Sequence, residues 1–97
     1  MITIKMFKFL TPDGDVTLNI DYTALEESKT RDLPCFRDEI SNVEGPTEYV
    51  KYLTKYTVTL KYSHEQERYF LVLEDEIMTW GGGHADIKMS FPLFVVD

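Results

Sequence analysis

The tightest constraint on this chain is a strand-like run that follows a strong turn signal. Val16, Leu18, Ile20 and Tyr22 alternate with Thr17, Asn19 and Asp21, the two-residue period of a strand with one buried face. Immediately before lies Thr11-Pro12-Asp13-Gly14-Asp15. Proline presets φ for a turn, aspartate hydrogen-bonds its own backbone and glycine accepts a positive φ. Upstream, Ile2, Ile4 and Met6 alternate with Thr3 and Lys5. The phase then shifts through Phe7, Lys8 and Phe9, which predicts a bulge. The chain therefore opens on an antiparallel hairpin.

The connector over residues 23–46 is polar. Thr23-Ala24-Leu25-Glu26 fits a capping box and predicts a short helical turn. Leu33-Pro34 ends or redirects it, because proline disfavours the α region for its predecessor. Phe36, Ile40 and Val43 form a weak helical stripe over residues 35–43. Pro46 suits a first helical position, and Tyr49, Tyr52 and Leu53 recur at helical spacing, so a short helix to about residue 53 is expected. Tyr56, Val58, Leu60 and Tyr62 alternate again, predicting a strand over residues 55–62 and then a polar hairpin loop at 63–67. Arg68-Tyr69-Phe70-Leu71-Val72-Leu73 is the most apolar run and reads as a central strand, ended by Glu74-Asp75-Glu76. Ile87, Met89 and Phe91 alternate until Pro92, as in an edge strand, and Leu93-Phe94-Val95-Val96 reads as a docking tail.

The expected architecture is α+β. It is mainly an antiparallel sheet of about five strands, with one or two short helices between strands two and three. An open sheet with the helix across one face and a small, partly closed barrel both fit. At 97 residues the chain is one compact domain, 1–97, long enough for a core without disulfide or metal. One cysteine cannot form an internal bridge. The longest apolar run falls far short of the roughly 20 residues of a membrane helix. Lys5 and Lys8 break the apolar residues of the first ten, so no secretory leader is expected. A cytoplasmic location is expected, in the host cytoplasm if the protein is viral.

The net charge of −7 is unevenly distributed. Residues 23–50 carry three basic and seven acidic groups, and residues 74–97 carry one basic against five acidic. Residues 51–73 are mildly basic and rich in tyrosine. Nucleic-acid binding needs clustered basic surface, and none is visible. Acidity of this kind commonly serves solubility and in some chains a basic partner.

No established catalytic or cofactor motif is present: no CxxC, HExxH, P-loop or GxGxxG. His64 and His84 fall in expected loops, where an acid–base pair with a carboxylate would require them to meet. Solvated loop histidines are the plainer reading. Metal ligation by His64 with Glu65 or Glu67, or by His84 with Asp86, rests on spacing too common to count. Cys35 lies beside Arg37, but Asp38 and Glu39 oppose a lowered thiol pKa, so it reads as a buried, inert side chain. Tyr49, Tyr52, Tyr56 and Tyr62 interleave with Lys51, Lys55 and Lys61. That interleaving can stack bases, but the whole-chain charge opposes it, and tyrosine suits protein interfaces as well.

Two peptides remain distinctive. Glu74-Asp75-Glu76, joined by Asp86, is an acidic group without the alternating ligands of an EF-hand. Trp80-Gly81-Gly82-Gly83-His84 sets a single tryptophan beside three glycines, as an insertable interface anchor would. The expected partner-binding residues are Glu74, Asp75, Glu76, Trp80, His84 and Asp86, with no catalytic residue, cofactor or metal. The expected function is a small acidic protein-binding module. It would act as an inhibitor or antagonist that occludes a basic site on a partner protein, as bacteriophage anti-defence and toxin-immunity proteins do. That parallel is one of composition. The alternative is a structural or assembly subunit of a larger, possibly viral complex, pairing through its C-terminal edge strand into a homo-oligomer.

Overall fold

The computed structural model describes residues 3–35, 39–78 and 84–96, with the backbone alone taken at 75–78 and 84–87. The opening hairpin forms as the turn chemistry dictates. Strand β1 (Ile4–Thr11) and strand β2 (Gly14–Asp21) pair antiparallel, from Ile4 opposite Asp21 to Thr11 opposite Gly14. The register is unbroken, so the expected bulge in β1 is absent. Two alternating sets compete for the core there, and the aromatic one wins. Phe7 and Phe9 are buried, and Ile4, Met6 and Leu10 point the other way.

Helix α1 (Tyr22–Ser28) follows at once. Its cap is Asp21, whose carboxylate accepts from the Thr23 backbone N–H at 3.1 Å, one of the N–H groups that a helix start leaves unpaired. Ala24 and Leu25 are its buried residues, together with Ser28, whose hydroxyl donates to the Leu25 carbonyl. Strand β3 (Leu33–Cys35) then pairs with a later strand, Leu33 standing opposite Leu60 and Cys35 opposite Val58. Pro34 is tolerated there because β3 is the outermost strand of its sheet. The helical stripe expected over residues 35–43 is not formed at its described end. Ile40–Glu44 is strand β4, paired with β2, and Asn42 takes a positive φ that a helix does not allow. Residues 36–38 lie outside the described residues.

Helix α2 (Thr47–Lys55) matches its expected place. Glu48 in its first turn and Lys55 in its last complement the helix dipole. Strand β5 (Thr57–Ser63) and strand β6 (Arg68–Met78) form the second hairpin. Strand β7 (His84–Pro92) pairs with β6, and the short strand β8 (Phe94–Val95) returns to β1.

The expectation of one five-stranded sheet needs correction. The described residues form two antiparallel four-stranded sheets, ordered β4-β2-β1-β8 and β3-β5-β6-β7. The helices do not both lie between strands two and three, since α2 follows β4. The chain crosses between sheets four times: through α1, between β3 and β4, through α2, and at Leu93, whose N–H donates to the Tyr69 carbonyl. Each sheet has one apolar inner face, and two such faces bury each other. Phe7, Phe9, Val16, Leu18 and Ile20 come from the first sheet, and Leu33, Val58, Leu60, Leu71 and Leu73 from the second. The Phe9 and Phe91 rings meet at 4.5 Å, and Phe7 meets Tyr69 edge-on at 5.8 Å. Leu93 is buried between the sheets, so the expected docking of the tail is realised.

Candidate protein-binding surface

The acidic peptide does not end a strand. Strand β6 continues through Glu74-Asp75-Glu76 to Met78 because β7 pairs with it all the way, overriding the low strand propensity of acidic residues. Strand β5 stops earlier, its last partner on β6 being Glu74. Beyond that point β6 and β7 run on as a two-stranded ribbon. Its register sets Asp75 opposite Ile87, Glu76 opposite Asp86, Ile77 opposite Ala85 and Met78 opposite His84. Four steps at roughly 3.3 Å per residue carry the ribbon about 13 Å past β5.

The structure therefore brings four of the expected surface residues together in sequence register: Glu74, Asp75 and Glu76 on β6 and Asp86 on β7. His84 is the first residue of β7 rather than part of a loop. Trp80 and the three glycines lie outside the described residues. At the root of the ribbon the Glu74 carboxylate lies 3.8 Å from the Lys88 ammonium.

The other chemistry-bearing residues separate. His64 sits at the β5–β6 turn, where its Nε2–H donates to the Lys29 carbonyl at 2.8 Å and its ring meets Tyr62 edge-on. The start of β7 lies at the far end of β6 from that turn, ten residues along, or about 33 Å. His64 and His84 thus do not meet as an acid–base pair. The Cys35 thiol is pushed up to about 11, chiefly by burial and then by the Glu39 charge. That suits a packed side chain rather than a nucleophile. Among the described residues no three His, Cys, Asp or Glu side chains are grouped to hold a metal ion.

The tyrosines divide into two packing groups. Tyr52 stacks on Tyr56 at 5.1 Å, and Tyr49 stands edge-on to Tyr52 and to Phe91. Tyr62 stands edge-on to Tyr69 instead. A run of bases has no continuous stacking platform among them. Tyr52 donates its hydroxyl to the Glu48 carboxylate, and that bond first, with desolvation second, pushes its ionisation up to about 12.

Shallow depressions among the described residues include two of note. One, of about 320 Å³, lies on the outer face of the second sheet over Phe70 and Val72. Its lysines are already engaged, Lys61 with Asp32 at 3.5 Å and Lys88 with Glu74. The other, of about 390 Å³, lies beside β8, where the Arg68 guanidinium covers the Phe94 ring at 4.6 Å. The surface that sequence reading missed is on β1, where Ile4, Met6 and Leu10 face outward. Its only trace in the sequence is the phase shift at Phe7.

Compared with protein-family models, curated proteins and solved structures, the chain matches none. No described helix is long and apolar enough to cross a membrane.

Proposed function

We propose that this chain is a small acidic protein-binding module that acts as an inhibitor or antagonist. It occludes a basic site on a partner protein, in the manner of anti-defence and immunity proteins. The observation that carries the reading is the ribbon. Strands β6 and β7 stay paired for four positions beyond the end of β5, with Asp75, Glu76 and Asp86 in that stretch and Glu74 at its root. A two-stranded projection reaches into a cleft that a flat sheet face does not enter. Opposed like charges weaken an isolated ribbon, and a cationic partner reverses that cost. Complementary charge also speeds encounter and fixes orientation.

The test is retention of a basic protein from the native host by the immobilised chain at low salt. Retention is expected to fall as salt rises and to be lost in the triple variant E74Q/E76Q/D86N. Retention that the triple variant leaves unchanged refutes the role of the ribbon, and no partner at low salt and high loading refutes the module itself. The second reading is a self-assembling subunit. It draws support from β7, the outermost strand of its sheet over nine residues. A strict monomer by light scattering removes it.

A further inference from the structure

The outer face of the β4-β2-β1-β8 sheet carries an apolar row that neither helix covers. Ile4, Met6 and Leu10 are 50%, 44% and 54% exposed. They share the side of β1 opposite to buried Phe7 and Phe9 with Lys8, which stands in the row between Met6 and Leu10. Over six residues at about 3.4 Å each the row is about 20 Å long. Register sets Asp21 beside Ile4, Asn19 beside Met6 and Asp15 beside Leu10. On the next strand, Ser41 lies beside Asn19 and Glu44 beside Thr17. The face thus grades from apolar on β1 to acidic on β2 and β4. Its lysine, Lys8, is held 3.7 Å from Asp15.

We propose that this face docks a basic amphipathic helix of a partner protein. The proposal rests on the protein-binding reading above and adds a surface distinct from the ribbon. A helix fits better than a strand. The backbone groups of β1 and β2 are paired with each other, so the face offers an incoming segment side chains alone. A segment that satisfies its own backbone can lie on it. A row of about 20 Å matches about 14 helical residues at 1.5 Å each. Asp15, Asp21 and Glu44 border one flank of the row, so the helix must carry Lys or Arg beside its apolar stripe. A second copy of this chain would set the same carboxylates against each other, on a molecule of net charge −7. An anionic membrane meets the same repulsion.

The probe is a synthetic peptide of about 14 residues made of Leu and Lys, with leucines at i, i+3, i+4 and i+7. Controls are a scrambled peptide of the same composition and a Leu/Glu counterpart. Saturable binding is expected for the amphipathic basic peptide alone, with NMR shifts centred on the methyl groups of Ile4, Met6 and Leu10. Met6→Asp and Leu10→Asp are expected to weaken binding about tenfold or more. The ribbon variant E74Q/E76Q/D86N should bind within about twofold of the parent, since separate sites are energetically independent. The proposal is overturned if the three methyl groups do not move or if the scrambled peptide binds equally. It is also overturned if the chain self-associates without peptide and Met6→Asp abolishes that. Binding lost in the ribbon variant but kept in Met6→Asp places the partner on the ribbon, which overturns this proposal and leaves the protein-binding reading standing. Both aspartate substitutions fall at half-exposed positions, and the methyl shifts of the parent chain report independently of either variant.

Discussion

The two sheets are held face to face partly by Phe9 and Phe91, and the strength of that bond can be worked out and measured. Phe9 is fully buried on β1, and Phe91 packs against it from β7, the strand that also builds the ribbon. Truncating a buried Phe to Ala costs about 3–5 kcal/mol. A chain of this length has a total stability of about 5–15 kcal/mol, so Phe9→Ala would remove a large share of it. Phe9→Leu keeps most of the volume and is expected to cost about 1–2 kcal/mol. Phe91→Leu, at a half-buried position, is expected to cost about 1 kcal/mol. An aromatic pair in contact adds about 0.5–1.5 kcal/mol beyond its buried area. The double variant should therefore be less destabilised than the sum of the singles by that amount. Urea unfolding of the four proteins, followed by far-UV circular dichroism, closes the cycle. Each 1 kcal/mol also moves the melting temperature by about 4–8 °C in a domain of this size. Additivity within about 0.3–0.5 kcal/mol would refute the ring contact and with it this seam between the sheets.

Three further outcomes follow from local geometry. A Cβ on Gly45 would lie 2.9 Å from both the Asp15 carbonyl oxygen and the Val16 Cα, so Gly45→Ala should cost about 1–3 kcal/mol in thermal or urea unfolding. Cys35, raised to about 11 by burial and then by Glu39, should resist alkylation at pH 8 until urea unfolds the chain. Because its folded pKa lies above the unfolded value, its contribution to stability is complete below about pH 8.5 and is lost as pH rises towards 11. Tyr52, raised to about 12 chiefly by its bond to Glu48, should ionise late in an ultraviolet titration, and Glu48→Gln should bring its transition down.

The legible parts of the fold were those in which a local signal and the tertiary demand agree. The turn at residues 11–15, the alternation of β2, the helix after Pro46 and the apolar β6 all carry their own instructions. Strand β4 does not. Ile40-Ser41-Asn42-Val43-Glu44 has neither clean alternation nor a strong helical stripe, and pairing with β2 decides it. The acidic run misled in the opposite sense. It reads as a break, yet β7 pairs through it. The facing of β1 was hidden because Ile4 and Met6 on one side compete with Phe7 and Phe9 on the other. Only the second sheet, whose Tyr69 and Phe91 receive the two rings, settles which side is the inside. For the candidate surface, composition identified the acidic residues. Their gathering on a ribbon depends on where β5 ends, and nothing within β6 or β7 encodes that point.

The fold also changes what the net charge means. In sequence the acidity forms two blocks, residues 23–50 and 74–97. In space the first block disperses. Glu26 and Glu27 lie beside Lys29 and Arg31 on and just after α1. Asp32 turns to Lys61 on the second sheet, and Glu44 lies on the first. Exposed pairs of this kind contribute about 0–1 kcal/mol each. Their consequence is chiefly electrostatic: they mute the charge around α1 and the second sheet. The acidic groups of the ribbon and of the β2–β4 face are gathered instead by strand register, one set at and beyond the end of β5 and the other beside an apolar row. Under the two proposals above, a partner attracted by the whole molecule would be sorted between two surfaces by shape, a cleft to the ribbon and an amphipathic helix to the face. Because β1 carries both the apolar row and Phe9, and β7 carries both Phe91 and half of the ribbon, the Phe9–Phe91 contact holds together the two strands on which the surfaces are built.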